Sequence, residues 1–174
     1  MKFEFLKSEL KAIEEERATT MLSEIGWSLT DEAFVALQRR AERLKEILPK
    51  MHFVWVDDLH PFQNLGERRA LAALGISIDP VKTTDEALRL LDLARYEGVI
   101  TDYSRPDDQG AARLLEGIKK KNLHRQTIFY AGHERPIPAG DLGYTVFPDE
   151  LIHLVMDLAE RGRSVGGSLT SPRN

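Results

Sequence analysis

The sequence of 174 residues contains no cysteine. Disulfides, thiolate zinc sites and thiol nucleophiles are excluded together, and the absence fits a reducing, cytoplasmic setting. Long apolar runs are also missing. No window approaches 18 apolar residues, so no membrane-spanning helix is expected. Met1-Lys2-Phe3-Glu4-Phe5 lacks the apolar stretch of a signal peptide. Basic charge is not in excess, and a net charge of −4 gives no electrostatic reason to expect nucleic acid or an anionic membrane surface. There is no glycine-rich phosphate loop. What remains is a composition ordinary for a soluble globular protein, long enough for one domain plus an extra segment.

Residues 1–50 read as two helices, a segment suited either to a hairpin on the main domain or to a homodimer seam. Phe3, Leu6, Leu10 and Ile13 step by three and four and share one helical face, with Glu14, Glu15 and Glu16 solvated beyond it. Gly26 breaks the segment. Ser28 or Thr30 can cap the second helix, with Asp31 and Glu32 in its acidic first turn. Phe34, Leu37, Ala41, Leu44 and Leu48 then repeat the spacing. Trp27 is expected to pack where this segment meets the rest of the chain.

From residue 52 the period changes. His52-Phe53-Val54-Trp55-Val56 is a short apolar run ending in Asp57-Asp58, with Trp55 read as core. Pro61 opens a helix that stops at Gly75. Ile76-Ser77-Ile78 alternates like a strand and is closed by Asp79-Pro80. Thr83 and Glu86 form a capping-box signature. Gly98-Val99-Ile100-Thr101 is a strand ending at Asp102, and a helix follows around Ala111–Lys120. Thr127–Tyr130 and Tyr144–Phe147 are the last two strands, and Pro148 opens a final helix through Ala159. Residues 163–174, rich in Gly, Ser and Arg, read as a disordered tail. Lys119-Lys120-Lys121 with Arg125 is read as complementing a helix dipole rather than binding nucleic acid.

Five β-α repeats with short apolar strands imply a parallel sheet covered on both faces. Ligands of such sheets sit beyond the carboxyl ends of the strands, at a topological switch point. Asp57, Asp58 and Asp102 fall at those ends. Carboxylates brought within a few ångströms repel unless a cation sits among them. Mg²⁺ prefers oxygen ligands and often takes one or two carboxylates plus waters. The alternative is that each Asp merely caps a loop or a helix. His60, near the acidic pair, is a weaker metal-ligand candidate.

These motifs, in this order, resemble a response-regulator receiver domain over about 110 residues, within 51–162. Asp57-Asp58 resembles the family's metal-binding acidic pair. Asp102-Tyr103-Ser104-Arg105-Pro106 resembles its phosphoacceptor segment, with Gly110 before the third helix. Gly143-Tyr144-Thr145-Val146-Phe147-Pro148 resembles its fifth-strand motif. The resemblance implies an α/β, flavodoxin-like (βα)5 fold, a doubly wound parallel five-stranded sheet preceded here by the N-terminal helical segment. It also implies Mg²⁺ held by Asp57, Asp58 and Asp102, and Asp102 as phosphoacceptor. The partners it implies are proteins, a kinase or a downstream effector, in two-component phosphorelay signalling.

The chain departs from the family pattern at its switch positions. The family's fifth-strand Lys is replaced by Phe147, and no lysine occurs after Lys121. Its fourth-strand Thr or Ser is replaced by Ala131, while Tyr144 keeps the aromatic position. A charge-assisted hydrogen bond contributes roughly 1.5–3 kcal/mol, so losing both donors implies slowed phosphorylation or phosphorylation uncoupled from conformational change. Arg105 and His133 are candidates for anion contacts, with ordinary solvated loop residues as the alternative. Pro136, Pro138 and Gly140 imply that the family's fourth helix is stunted or replaced by a loop. With only 13 residues after Arg161, no DNA-binding domain is expected to follow. With no His in the N-terminal segment, no phosphohistidine helix is expected there. Three readings stand: an atypical receiver, a phosphorylation-independent interaction module, and a metal-dependent phosphohydrolase or TIR-like enzyme on a similar fold.

Overall fold

A computed structural model describes residues 2–17, 26–58, 64–102, 111–121, 123, 126–131 and 142–166, with 162–166 described by backbone alone. Helices α1 (Phe3–Arg17) and α2 (Asp31–Arg43) come first, then a 3-10 turn (Leu48–Lys50). Thr30 caps α2, its side chain accepting from the Ala33 amide at 3.1 Å. The second apolar stripe thus runs on past the helix itself, with Leu44 and Leu48 buried in the turns before Pro49, which has no N–H to continue a helix.

The remaining elements alternate: β1 (His52–Val56), α3 (Leu65–Ala73), β2 (Ser77–Val81), α4 (Thr84–Leu93), β3 (Gly98–Thr101), α5 (Ala111–Lys120), β4 (Gln126–Tyr130), β5 (Gly143–Thr145) and α6 (Pro148–Gly166). All four strand pairings are parallel, in the order β2-β1-β3-β4-β5. This is the flavodoxin-like doubly wound order, whose switch point lies between β1 and β3. Strand β2 continues through Asp79-Pro80 rather than stopping there. It is an edge strand, and an edge tolerates a residue without an N–H. Strand β5 ends at Thr145, short of the expected Phe147, because Pro148 starts α6 and the chain turns just before it. Helix α6 extends to Gly166, into the segment read from sequence as tail.

Two apolar clusters face the two sides of the sheet. Val54, Val56 and Val99 pack with Ala87 and Leu91 of α4 and with Leu114 and Ile118 of α5. On the other side Phe53, Trp55, Ile100, Ile128 and Tyr130 pack with α3 and α6. That second cluster continues outward without a break. Leu6, Leu10 and Ile13 of α1 and Phe34, Leu37 and Ala41 of α2 are buried in it, over α3 and α6. Gly66 permits the approach, since a Cβ there would lie 2.6 Å from Ile13 Cγ1. Polar contacts reinforce the seam. Arg40 of α2 pairs with Asp157 and Glu160 of α6, and Trp27 donates from Nε1 to Asp149 at 2.9 Å. Trp27 therefore sits at the junction expected of it.

Candidate functional site

Val56 pairs with Thr101 across β1 and β3, so Asp57 and Asp102 each stand one residue beyond the last paired position. Adjacent strands lie about 4.8 Å apart, which makes the two residues neighbours at the switch point. The backbone at Asp57 is pinned on its other side, where its amide donates to the Val81 carbonyl at 2.9 Å. Thr101 is fully buried, and its hydroxyl donates to the Asp102 carbonyl at 2.9 Å. Asp57 is buried; Asp58 and Asp102 are half-buried.

Among the described residues, no three His, Asp or Glu side chains converge closely enough to hold a metal ion between them. What the register does bring together is Asp57 and Asp102. Two hard oxygen donors at the carboxyl ends of adjacent strands suit a cation that takes one or two carboxylates and keeps several waters, which describes Mg²⁺.

The surroundings of Asp57 hold groups that the sequence reading missed. Asn64, just before α3, donates from Nδ2 to Asp57 Oδ2 at 2.9 Å. Its own Oδ1 accepts from Arg17 Nη2 at 3.2 Å, and Arg17 is the last residue of α1. The same guanidinium forms an ion pair with Glu67 of α3, whose side chain is only 3% exposed. Tyr130 donates its hydroxyl to Glu67 Oε1 at 2.7 Å. The Arg17 guanidinium lies 5.6 Å from the Tyr130 ring centre, and that ring meets Trp55 edge-on at 5.8 Å. Burial works against the Arg17 charge, but Tyr130 and Glu67 outweigh it and hold the guanidinium above its usual pKa. Burial also pushes the Tyr130 phenol well above its usual value, and Glu67 adds to this. Arg68 faces the same acids. Burial lowers its guanidinium somewhat, while Asp57 and Glu67 pull the other way.

A signal for this network was present. Glu67 occupies an inward helical position with Ala70, Leu71 and Leu74, where a carboxylate requires a partner.

Of the other expected site residues, Ala131 is buried just after β4, and its amide donates to the Thr145 carbonyl at 3.3 Å. Tyr144 lies on β5, half-buried. Phe147 sits at the entry to α6, its amide donating to Thr145 Oγ1 at 3.0 Å, while that hydroxyl donates to Glu150 at 2.6 Å. Arg105, His133 and His60 lie outside the described residues, as does the segment expected to hold a stunted fourth helix or a loop in its place. Lys120 pairs with Glu116, and Lys121 with Asp92. No described helix is long and apolar enough to cross a membrane.

No protein-family model and no curated protein matches the chain. Solved structures do. The receiver domain of the Francisella response regulator 1452 aligns with a TM-score of 0.55 and 22% identity, over 64% of this chain and 98% of that one. A chain from the complex of the histidine kinase ThkA with the response regulator protein TrrA aligns at 0.52 and 23%, over 62% and 97%. The receiver domain of the histidine kinase CKI1 from Arabidopsis thaliana, complexed with Mg²⁺ and BeF3⁻, gives 0.42 and 15%, over 74% and 97%. The first two define the class: the chain has the receiver-domain fold, a flavodoxin-like parallel sheet.

Proposed function

We propose that this chain is an atypical receiver-type signalling module, acting through protein contacts in phosphorelay-type signal transduction. The observation that carries this reading is the placement of Asp57 and Asp102 side by side at the β1/β3 switch point of a receiver fold. In this reading Asp57 and Asp102 hold Mg²⁺, with Asp58 adding negative charge beside them. When bound, the ion supplies positive charge that offsets that of a phosphoryl group. The Asp102 carboxylate is the phosphoacceptor. Its oxygen forms the new bond to phosphorus while the donor's leaving group departs with the electrons of the broken bond.

Ala131 and Phe147 stand where the family resemblance leads one to expect a hydroxyl and a cation, and neither can donate a side-chain hydrogen bond to a phosphoryl oxygen. The acyl phosphate is therefore formed slowly and is weakly coupled to Tyr144. The partner is a kinase or an effector protein. ThkA, a histidine kinase, is complexed with TrrA in one of the related structures, which gives such a partner a precedent on this fold.

Titration with Mg²⁺, followed by acetyl phosphate or beryllofluoride, tests the reading. Trp55 is buried two residues before Asp57 and reports on the site by fluorescence. The expected result is a saturable Mg²⁺ response and a slowly formed acyl phosphate, both absent or strongly reduced in Asp102→Asn. A chain that binds no Mg²⁺ and takes up no phosphoryl group would instead be an interaction module independent of phosphorylation. Turnover of a phosphoester would make it an enzyme.

A further inference from the structure

Helix α1 ends where the acid site begins, and Asn64 stands between them. Its amide is used at both ends: the NH2 group faces a carboxylate, and the carbonyl faces a guanidinium. A half-turn of the amide would set oxygen against Asp57 and N–H groups against Arg17, so the two charges select one orientation. The backbone is equally particular. Asn64 has φ 54° and ψ 25°, the one non-glycine residue with positive φ among those described. Asn visits this region more readily than most residues, but still at a cost, and its side-chain bonds offset that cost. Arg17 in turn is tied to α3 through the buried Glu67. Moving the Asn64 side chain therefore disturbs the seat of the last residue of α1.

We propose that Asn64 couples the acid site to the docking of α1. A cation that takes Asp57 Oδ2 withdraws the acceptor from the Asn64 amide, and the hold on Arg17 weakens with it. Occupancy at the sheet edge is thereby read out as looser seating of α1, whose Leu6, Leu10 and Ile13 are otherwise buried. Linkage makes the effect reciprocal: a firmly seated α1 opposes cation binding. The readout deepens the function proposed above and rests on it for the nature of the signal. The Asp57-Asn64-Arg17 coupling can be measured without it.

A double-mutant cycle on the full chain tests the coupling. Unfolding constants are measured in urea for the parent, Asp57→Ala, Arg17→Met and the pair. Residues in one hydrogen-bond network are non-additive, and about a fivefold departure is expected here. The cycle is then repeated in the Asn64→Gly background, since glycine accepts the positive φ. There the departure is expected to fall below about twofold. Additive effects in the parent background, or an undiminished departure in Asn64→Gly, would overturn the proposal. The milder pair Asp57→Asn and Arg17→Lys gives the same cycle where the first pair does not fold.

Hydrogen exchange supplies the second arm. Saturating Mg²⁺ is expected to speed exchange of the α1 amides severalfold in the parent and not in Asn64→Gly. Bound Mg²⁺ that leaves α1 unchanged in the parent overturns the readout. Failure to bind Mg²⁺ at all removes the proposed function and the readout together, while the urea cycle still decides the coupling through Asn64.

Discussion

Replacing Arg17 by Met removes the guanidinium that faces Glu67 while keeping an apolar stem over the Tyr130 ring. The Glu67 side chain is 3% exposed and the Arg17 side chain 19%. Removing one partner of a buried pair costs about 3–5 kcal/mol, because the other charge is left uncompensated. Two features favour the lower end. The Arg17 end is wet enough for water to replace part of the guanidinium, and Tyr130 still donates to Glu67 Oε1. The expected loss is therefore about 3 kcal/mol. With a urea m-value of about 2 kcal/mol/M, the unfolding midpoint falls by about 1.5 M. A second variant, Arg17→Met with Glu67→Gln, removes the charge along with its partner and leaves Tyr130 a neutral acceptor. It should lie within about 1 kcal/mol of the parent, since replacing both members of a buried pair is often close to neutral. Tryptophan fluorescence and far-UV circular dichroism give both midpoints. A single variant within about 0.5 kcal/mol of the parent, the size typical of a surface change, would refute the argument. So would a double variant less stable than the single one.

Gly66→Ala places a Cβ 2.6 Å from Ile13 Cγ1, too close for the Ile13 side chain to keep its place. Overpacking of this kind costs about 1–3 kcal/mol, and a smaller combined loss in Gly66→Ala with Ile13→Ala than the sum of the two singles, measured in urea, would locate the strain at the α1/α3 contact. His153 gives a pH prediction. Burial, then the neighbouring Arg40, hold its imidazole below the usual 6.5, against the opposing pull of Asp149, Asp157 and Glu150. The folded state thus resists a proton that the unfolded state accepts. Stability is full above 6.5 and declines as pH falls from there toward the folded value. The Glu160 carboxyl, held low by Arg40, changes stability only below its usual 4.5, so the two windows separate. Urea midpoints from pH 7.5 down to pH 5 should slope less in His153→Gln, and an unchanged slope would contradict this assignment.

Much of the fold was legible because the periods are clean. Leu6, Leu10 and Ile13 read as one helical face and are one. The carboxylates ending β1 and β3 could be placed because every strand-helix repeat puts its strand's end at the same edge. Illegible features depended on neighbours distant in sequence. Nothing local shows that β2 lies at the sheet edge and so carries Pro80, or that Thr145 and Pro148 turn the chain before Phe147 can join β5. The Arg17–Glu67 pair spans fifty residues. Glu67 on an inward stripe announced that a partner must exist, but not which of the 24 Lys and Arg residues it would be.

The change of period at residue 52 tempts a cut there, and the packing argues against treating it as an energetic boundary. A single apolar cluster runs from α1 and α2 through α3 and α6 to β1, β3 and β4. The charges follow the same continuity. Asp57 and Glu67 belong to the β-α repeats, yet the guanidinium that pairs with Glu67 and reaches Asp57 through Asn64 comes from the end of α1. No lysine follows Lys121, and Arg17 brings positive charge to this acid edge from the end of α1. Removing those helices would at once bare an apolar face of α3 and α6 and leave Glu67 without its cation. Helices α1 and α2 are therefore structural partners of the β-α repeats, and α1 reaches the acid edge itself. What holds Arg17 in place therefore bears on the surroundings of Asp57.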